Sequence, residues 1–174
     1  IEELARADSR ITVVVREPPN GVGRAIRDGY AAADGEYILS MDCDFQHLLP
    51  ELEDLFDAIA EGNDAAVGSR FSRHSLLINY PFGKILANRG FHLCFNILFR
   101  CARRDLTNNL KLMRADLVRQ MVLKEPWFAV NAETGLQLAL MDCRLAEVPI
   151  SWVNRTFDMG QSTFRVLGAG GGYV

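Results

Sequence analysis

EYILSMDCDFQHLLPELEDL (residues 36–55) runs from an apolar, β-prone stretch into two aspartates one residue apart and then into a helix start. "EYILSM" suits a strand, and in a strand residues two apart point to the same side. Asp42 and Asp44 therefore share one face at the strand's carboxyl end while Cys43 points away. Pro50 stands where proline is tolerated, in the first turn of a helix, and "ELEDLFDAIAEG" keeps a helical period until Gly62. Two carboxylates and the amide oxygen of Gln46 are hard oxygen donors of the kind that hold Mg²⁺ or Mn²⁺ beside a diphosphate. An isolated D-x-D is equally a turn and capping device, so the flanking sequence has to decide.

Working outward, "ITVVV" (11–15) reads as a short buried strand, "GVGRAIRDGYAAADG" (21–35) as a helix closed by Gly35, and "DAAVGS" (64–69) as another strand. "NLKLMR", "ADLVRQMVL", "ETGLQLALMDC" and "RLAEVPISW" follow as strand, helix, helix and strand. Such alternation predicts an α/β fold with a Rossmann-like, mostly parallel sheet flanked by helices, whose ligand crevice lies off the carboxyl ends of the strands. One long segment interrupts it, "FGKILANRGFHLCFNILFRCARR" (82–104), which could pack in the core or lie on a bilayer. In the second case Phe95 and Phe99 would enter the acyl chains and Arg100, Arg103 and Arg104 would meet anionic headgroups.

With 49% hydrophobic and 24% charged residues, the 174-residue chain has enough apolar material for one core, which excludes disorder. Its formal net charge of -3 offers no general attraction to nucleic acid, so an anionic ligand needs a local basic patch. Cysteines at 43, 94, 101 and 143 lack C-x-x-C spacing and read as reduced thiols of a cytosolic protein. His47, His74 and His92 have no metal-ligand spacing, and no run of 18 apolar residues appears. The opening at Ile1, inside the helix-like "IEELARAD", is expected to lie within a longer protein. Residues 1–167 are expected to form a single catalytic domain, partial at its start, with a glycine-rich tail at 168–174.

The ordered series "NGVGRAIRDG", "DCDFQH", "GSRF", "DLTNNLKLMR" and "EVPISWVNRTFDMGQSTF" resembles glycosyltransferase family 2, in its dolichyl- and polyprenyl-phosphate glycosyltransferase branch, from about Asn20 to Phe164. The resemblance implies a glycosyltransferase-A type fold whose first strand or strands, with the nucleoside-binding P-x-x-N-E and D-D-x-S segments, lie before Ile1. By position, Asp42 resembles the aspartate beside the sugar-nucleotide phosphates, Asp44 the principal metal ligand and Gln46 an accessory one. Asn20 and Gly23 of the N-x-G helix start, and Arg155 and Ser162 of the R-x-x-G-x-S-like segment, resemble donor-binding residues. Arg70 resembles the arginine facing the lipid phosphate, with Lys84 and Asn88 where the branch commonly has arginine and serine. Asp105 begins a D-x-T-S-G-F-R-like segment in which Asn108, Asn109 and Lys111 replace Ser, Gly and Arg, bearing on acceptor or sugar choice. Glu133 resembles an acidic residue opposite the metal that can act as a base, although a carboxylate at a helix start is also an ordinary dipole partner.

The resulting expectation is a metal-dependent, inverting transfer from a nucleotide-sugar donor to a polyprenyl phosphate, with Mg²⁺ or Mn²⁺ as cofactor, at the cytoplasmic face of a membrane that the protein contacts peripherally. A phosphate acceptor is largely anionic near neutral pH, with a second pKa of about 6, so it needs cationic positioning more than a base. Transfer to a glycan or protein hydroxyl would instead make Glu133 essential, and a non-catalytic lipid-phosphate or partner-binding remnant is the alternative from another class. The missing Q-x-x-R-W motif argues against a processive polysaccharide synthase.

Overall fold

The computed structural model describes residues 1–42 and 50–153. Asp44, Gln46, His47, Arg155 and Ser162 lie outside them. Helices α1 (Glu2–Ala7) and α2 (Val22–Ala32) precede β1 (Tyr37–Ser40), and α3 (Pro50–Ala60) leads into β2 (Ala65–Ser69). Then come β3 (Leu77–Ile78), α4 (Phe82–Phe99), β4 (Lys111–Arg114), α5 (Ala115–Gln120), α6 (Val130–Leu140), β5 (Leu145–Pro149) and β6 (Trp152–Val153).

The main sheet has the order β1-β4-β2-β5. β2 and β5 are parallel, β4 runs antiparallel to both β1 and β2, and β1 is therefore parallel to β2. The expected parallel set is present with one reversed strand inserted at its centre. That reversal positions the site, because it brings the amino-terminal end of β4 to the same sheet edge as the carboxyl ends of β1, β2 and β5. All five residues of β2 are buried, as expected for a strand covered on both faces. One apolar cluster gathers Ile38, Val67, Phe95, Leu106, Met113 and Leu138 on one side. The other gathers Leu55, Ala66, Leu110, Leu112, Val148 and Ile150.

Three expectations are corrected. "ITVVV" forms no strand, and Val15 is 80% exposed. β-branched residues favour an extended chain, but a ladder also needs a neighbouring edge, and no described strand pairs with this segment. "RLAEVPISW" does not continue as one strand: past Pro149 the chain turns out of the main sheet, and Trp152 N donates to Leu76 O at 2.8 Å, starting the two-stranded parallel pair β3-β6. Phe95 does not face outward. It is 6% exposed and stacks between Phe91 and Phe99, with centroids 5.9 and 4.8 Å away.

α4 is two-sided. His92 and Phe95 are buried, and His92 ties the helix to the loop before β4. Its Nε2 accepts from Leu106 N at 2.8 Å, which leaves Nδ1 as the protonated nitrogen, donating to Asn88 O at 2.9 Å. Burial, opposing the charged form, holds its pKa below the ordinary histidine value. The exposed positions are Phe82, Gly83, Leu86, Ala87, Gly90, Leu93, Cys94, Ile97, Leu98 and, at the helix end, Phe99, a stripe at helical spacing with no charged side chain in it.

Candidate active site

Two groups of polar side chains meet at the sheet edge where β1 and β2 end and β4 begins. The first is built on strand register. In the β1–β4 ladder Ser40 faces Lys111, and continuing that register by two residues sets Asp42 opposite Asn109. Asn109 Nδ2 donates to Asp42 Oδ1 at 3.0 Å, and its own Oδ1 accepts from Ser40 Oγ at 2.8 Å. Both Ser40 and Asn109 are buried.

The second group is centred on an ion pair. Asp105 is wholly buried, and it receives Arg70 Nε at 2.7 Å, Nη2 at 2.9 Å and backbone N at 3.0 Å. Burial pushes the Asp105 carboxyl up, but Arg70's charge and hydrogen bonds outweigh it and hold the group below the usual carboxylate range. Thr107 Oγ1 is fully used: it donates to Asp105 Oδ1 at 3.1 Å and accepts from Arg70 Nη2 and Asn88 Nδ2, both at 2.9 Å. Arg70 Nη1 also donates to Tyr80 OH at 3.3 Å, and the guanidinium lies 5.5 Å from the Trp152 ring centroid and 5.8 Å from that of Phe71. Arg70 is thus a cation fixed by a carboxylate and aromatic faces, its side chain 10% exposed. Lys84, one turn before Asn88 on α4, has its pKa lowered by partial burial and by Arg70's charge.

Lys111 joins the two groups. Its side chain is fully buried in β4, and Nζ donates to Asn131 O at 3.1 Å and to Asn108 O. Burial brings its pKa down to about 7 with help from Arg70's charge, against the opposing pull of Asp105 and Asp42. The structure therefore gathers Asp42, Arg70, Lys84, Asn88, Asp105 and Lys111 at one edge.

Glu133, Asn20 and Gly23 belong to a different arrangement. Both carboxylate oxygens of Glu133 accept from Lys124 N, at 2.9 and 3.1 Å, and Oε2 also from Glu125 N at 3.1 Å. The loop held in this way packs on the start of α2, where Gly23 N donates to Pro126 O at 3.0 Å. A Cβ on Gly23 would lie 2.0 Å from Glu125 O, so only glycine allows this approach. Asn20 is exposed, and its carbonyl accepts from Arg24 Nη1 at 2.9 Å.

Sequence reasoning missed Ser40, Thr107, Tyr80 and Trp152. Ser40 and Thr107 had a signal, since each sits two residues from a residue already singled out. Tyr80 and Trp152 had none, because they reach Arg70 only through the β3-β6 crossing.

As to a metal, Asp42 is a hard oxygen donor at the open edge, and Asp44 and Gln46 lie outside the described residues. Among the described residues no three His, Cys, Asp or Glu converge. A Mg²⁺ or Mn²⁺ site that uses one or two carboxylates and fills its octahedron with water and diphosphate oxygens needs no larger cluster, so the donor chemistry fits.

The sequence profile described as Glycosyl transferase family 2 matches residues 1–120. The dolichol-phosphate mannosyltransferase of Pyrococcus furiosus is 27% identical, over 71% of this chain and 36% of its own length. The polyprenol monophosphomannose synthase of Mycolicibacterium smegmatis is 28% identical, over 88% of this chain and 61% of its own. This chain thus spans only part of each of these curated relatives. In structure it is similar to a mycobacterial protein, with a TM-score of 0.53 at 19% identity, covering 85% of this chain and 48% of that one.

Proposed function

The chain belongs to glycosyl transferase family 2, with an α/β fold of glycosyltransferase-A type, and from that premise we propose that it takes part in moving a sugar from a nucleotide-sugar donor to a polyprenyl phosphate at a membrane surface. The observation that carries the choice of acceptor is the placement of two cations, Lys84 on the first turn of α4 and Arg70 near it, next to a helix whose exposed stripe from Phe82 to Leu98 carries no charge. A polyprenyl chain stays in the bilayer, so a protein that uses it must bring its cations to the headgroups. An uncharged helix face with the exposed arginines Arg100 and Arg104 just beyond its end suits such a surface. No helix among the described residues is long and apolar enough to cross a membrane, and the contact proposed for α4 is a peripheral one. The cytoplasmic face expected from the sequence belongs to the same proposal.

In this reading an oxygen of the acceptor phosphate attacks the anomeric carbon with inversion, and the bond from that carbon to the nucleoside diphosphate breaks. Asp42, Asp44 and Gln46 would hold the divalent ion, which when bound supplies positive charge against the departing diphosphate. Arg70 and Lys84 bind and orient the acceptor phosphate, with Asn88 beside them. Asp105 and Thr107 fix Arg70, so that the cation is in place before the lipid arrives. Lys111 stands between the two groups, its Nζ tied to the Asn108 and Asn131 carbonyls. Asn20, Gly23, Arg155 and Ser162 are assigned to the donor, with Gly23 acting through the backbone packing it permits. Glu133 is assigned to holding the loop at Lys124 and Glu125 rather than to a base, since both its oxygens accept peptide N–H groups. That favours a phosphate acceptor over a hydroxyl.

Transfer of radiolabelled sugar from nucleotide donors to polyprenyl phosphate in vesicles tests the reading. Arg70→Ala is expected to lower stability, since buried Asp105 loses its counterion, and in the protein that remains folded to raise the acceptor KM or lower kcat with donor binding retained; Asp44→Asn is expected to abolish metal-dependent transfer in a folded protein. Loss of donor binding in Arg70→Ala by calorimetry would move that residue to the other substrate. Transfer to a hydroxyl acceptor that depends on Glu133 would overturn the choice of acceptor.

A further inference from the structure

We propose that Asn109 is a positioning residue for Asp42: it aims the carboxylate into the donor site through a hydrogen bond whose direction is set by strand register. The residue faces Asp42 because the β1–β4 register, continued from the Ser40–Lys111 pair, makes positions 42 and 109 partners. Its amide has one workable orientation. Asp42 Oδ1, 3.0 Å away, can only accept when ionised, so the amide nitrogen must face it. The amide oxygen then faces Ser40 Oγ at 2.8 Å, a hydroxyl able to donate. Flipping the amide would set oxygen against oxygen at Asp42 and lose the bond from Ser40. Ser40 and Asn109 are 9% and 7% exposed, so bulk water does not stand in for either contact. A carboxylate at the open end of a strand would otherwise rotate about its last bond. Here one lone pair of Oδ1 is tied to a buried group on the neighbouring strand, which restricts the directions in which the carboxylate can meet a cation.

The proposal rests on the reading of Asp42 as a donor-site carboxylate, and the experiment separates the two. Mn²⁺ affinity of the purified protein is measured by electron paramagnetic resonance for wild type, Asn109→Ala, Asn109→Gly and Asp42→Asn, together with the metal-free melting temperature of each. The expected result is that both Asn109 variants weaken Mn²⁺ binding about 10-fold, in the range for removal of a group that orients a ligand, and leave the acceptor KM unchanged. Asp42→Asn weakens it at least as much. If Asn109→Ala and Asn109→Gly bind Mn²⁺ within twofold of wild type while Asp42→Asn does not, Asn109 is a structural residue only and the proposal falls alone. A lowered metal-free melting temperature with unchanged affinity would likewise make Asn109 a structural residue and overturn the proposal. If Asp42→Asn also binds like wild type, the reading of Asp42 fails and the proposal falls with it.

Discussion

Asp105 shows how a single residue can make the site expensive to alter. It is fully buried, and its charge is tolerable only because Arg70 and Thr107 donate to it. Asp105→Asn keeps the shape and removes the charge, leaving the Arg70 cation between aromatic rings without its counterion. The expected loss is about 3–5 kcal/mol of stability, read as a lower urea midpoint at unchanged slope. An unchanged midpoint would mean that Phe71, Trp152 and Thr107 hold Arg70 unaided. Lys111 gives a pH signature. Its pKa falls from the ordinary 10.5 in the unfolded chain to about 7 in the folded one. Between those values the unfolded state binds the extra proton, so stability from this residue rises with pH over that window and is least at and below pH 7. Lys111→Met is therefore expected to raise the melting temperature most at pH 6–7 and to flatten its rise toward pH 9. Parallel wild-type and mutant profiles would remove Lys111 as the source.

At the scale of an element, α4 has an inward and an outward face, and substitutions on the two should fail differently. Leu93 and Ile97 are 62% and 69% exposed, whereas Phe95 is 6% exposed within the core. Leu93→Glu with Ile97→Glu is expected to keep the wild-type melting temperature, since exposed substitutions away from special features usually stay within about 0.5 kcal/mol. The same double variant should lose flotation with anionic vesicles. Phe95→Glu should instead unfold the protein, as it places an unpaired carboxylate among Phe91, Phe99 and Leu106. Flotation retained by the Leu93, Ile97 variant would place the membrane contact elsewhere.

For the molecule as a whole, folding and metal binding should be separable. The two cores and the Arg70–Asp105 pair involve no metal donor, and the described carboxylate of the proposed metal site, Asp42, stands at the sheet edge. Removing divalent ions with EDTA is expected to abolish transfer, to leave the circular dichroism unchanged and to lower the melting temperature only by the lost binding free energy. Restoring Mn²⁺ should return activity without a refolding step. Unfolding on chelation would mean that the ion is part of the core of the fold.

The sequence by itself determined the alternation of helices and strands, the strand end that carries Asp42 and the family, because these are written in local periodicity and in the order of short motifs. It also brought Arg70, Lys84, Asn88, Asp105 and Lys111 into view as one functional set through that order. Local pattern cannot say which strand lies beside which, and there the tertiary structure decided. The reversal of β4 brings its amino-terminal end to the open edge, so that Asn109 meets Asp42 and Lys111 is enclosed between two charged groups. The β3-β6 pairing brings Trp152 and Tyr80 to Arg70. "ITVVV" has the composition of a strand and no partner among the described strands, and α4 has an apolar residue on nearly every side while only one side is buried. In each case the side chain sets a preference, and the free energy that fixes its role comes from a neighbour supplied by a distant part of the chain.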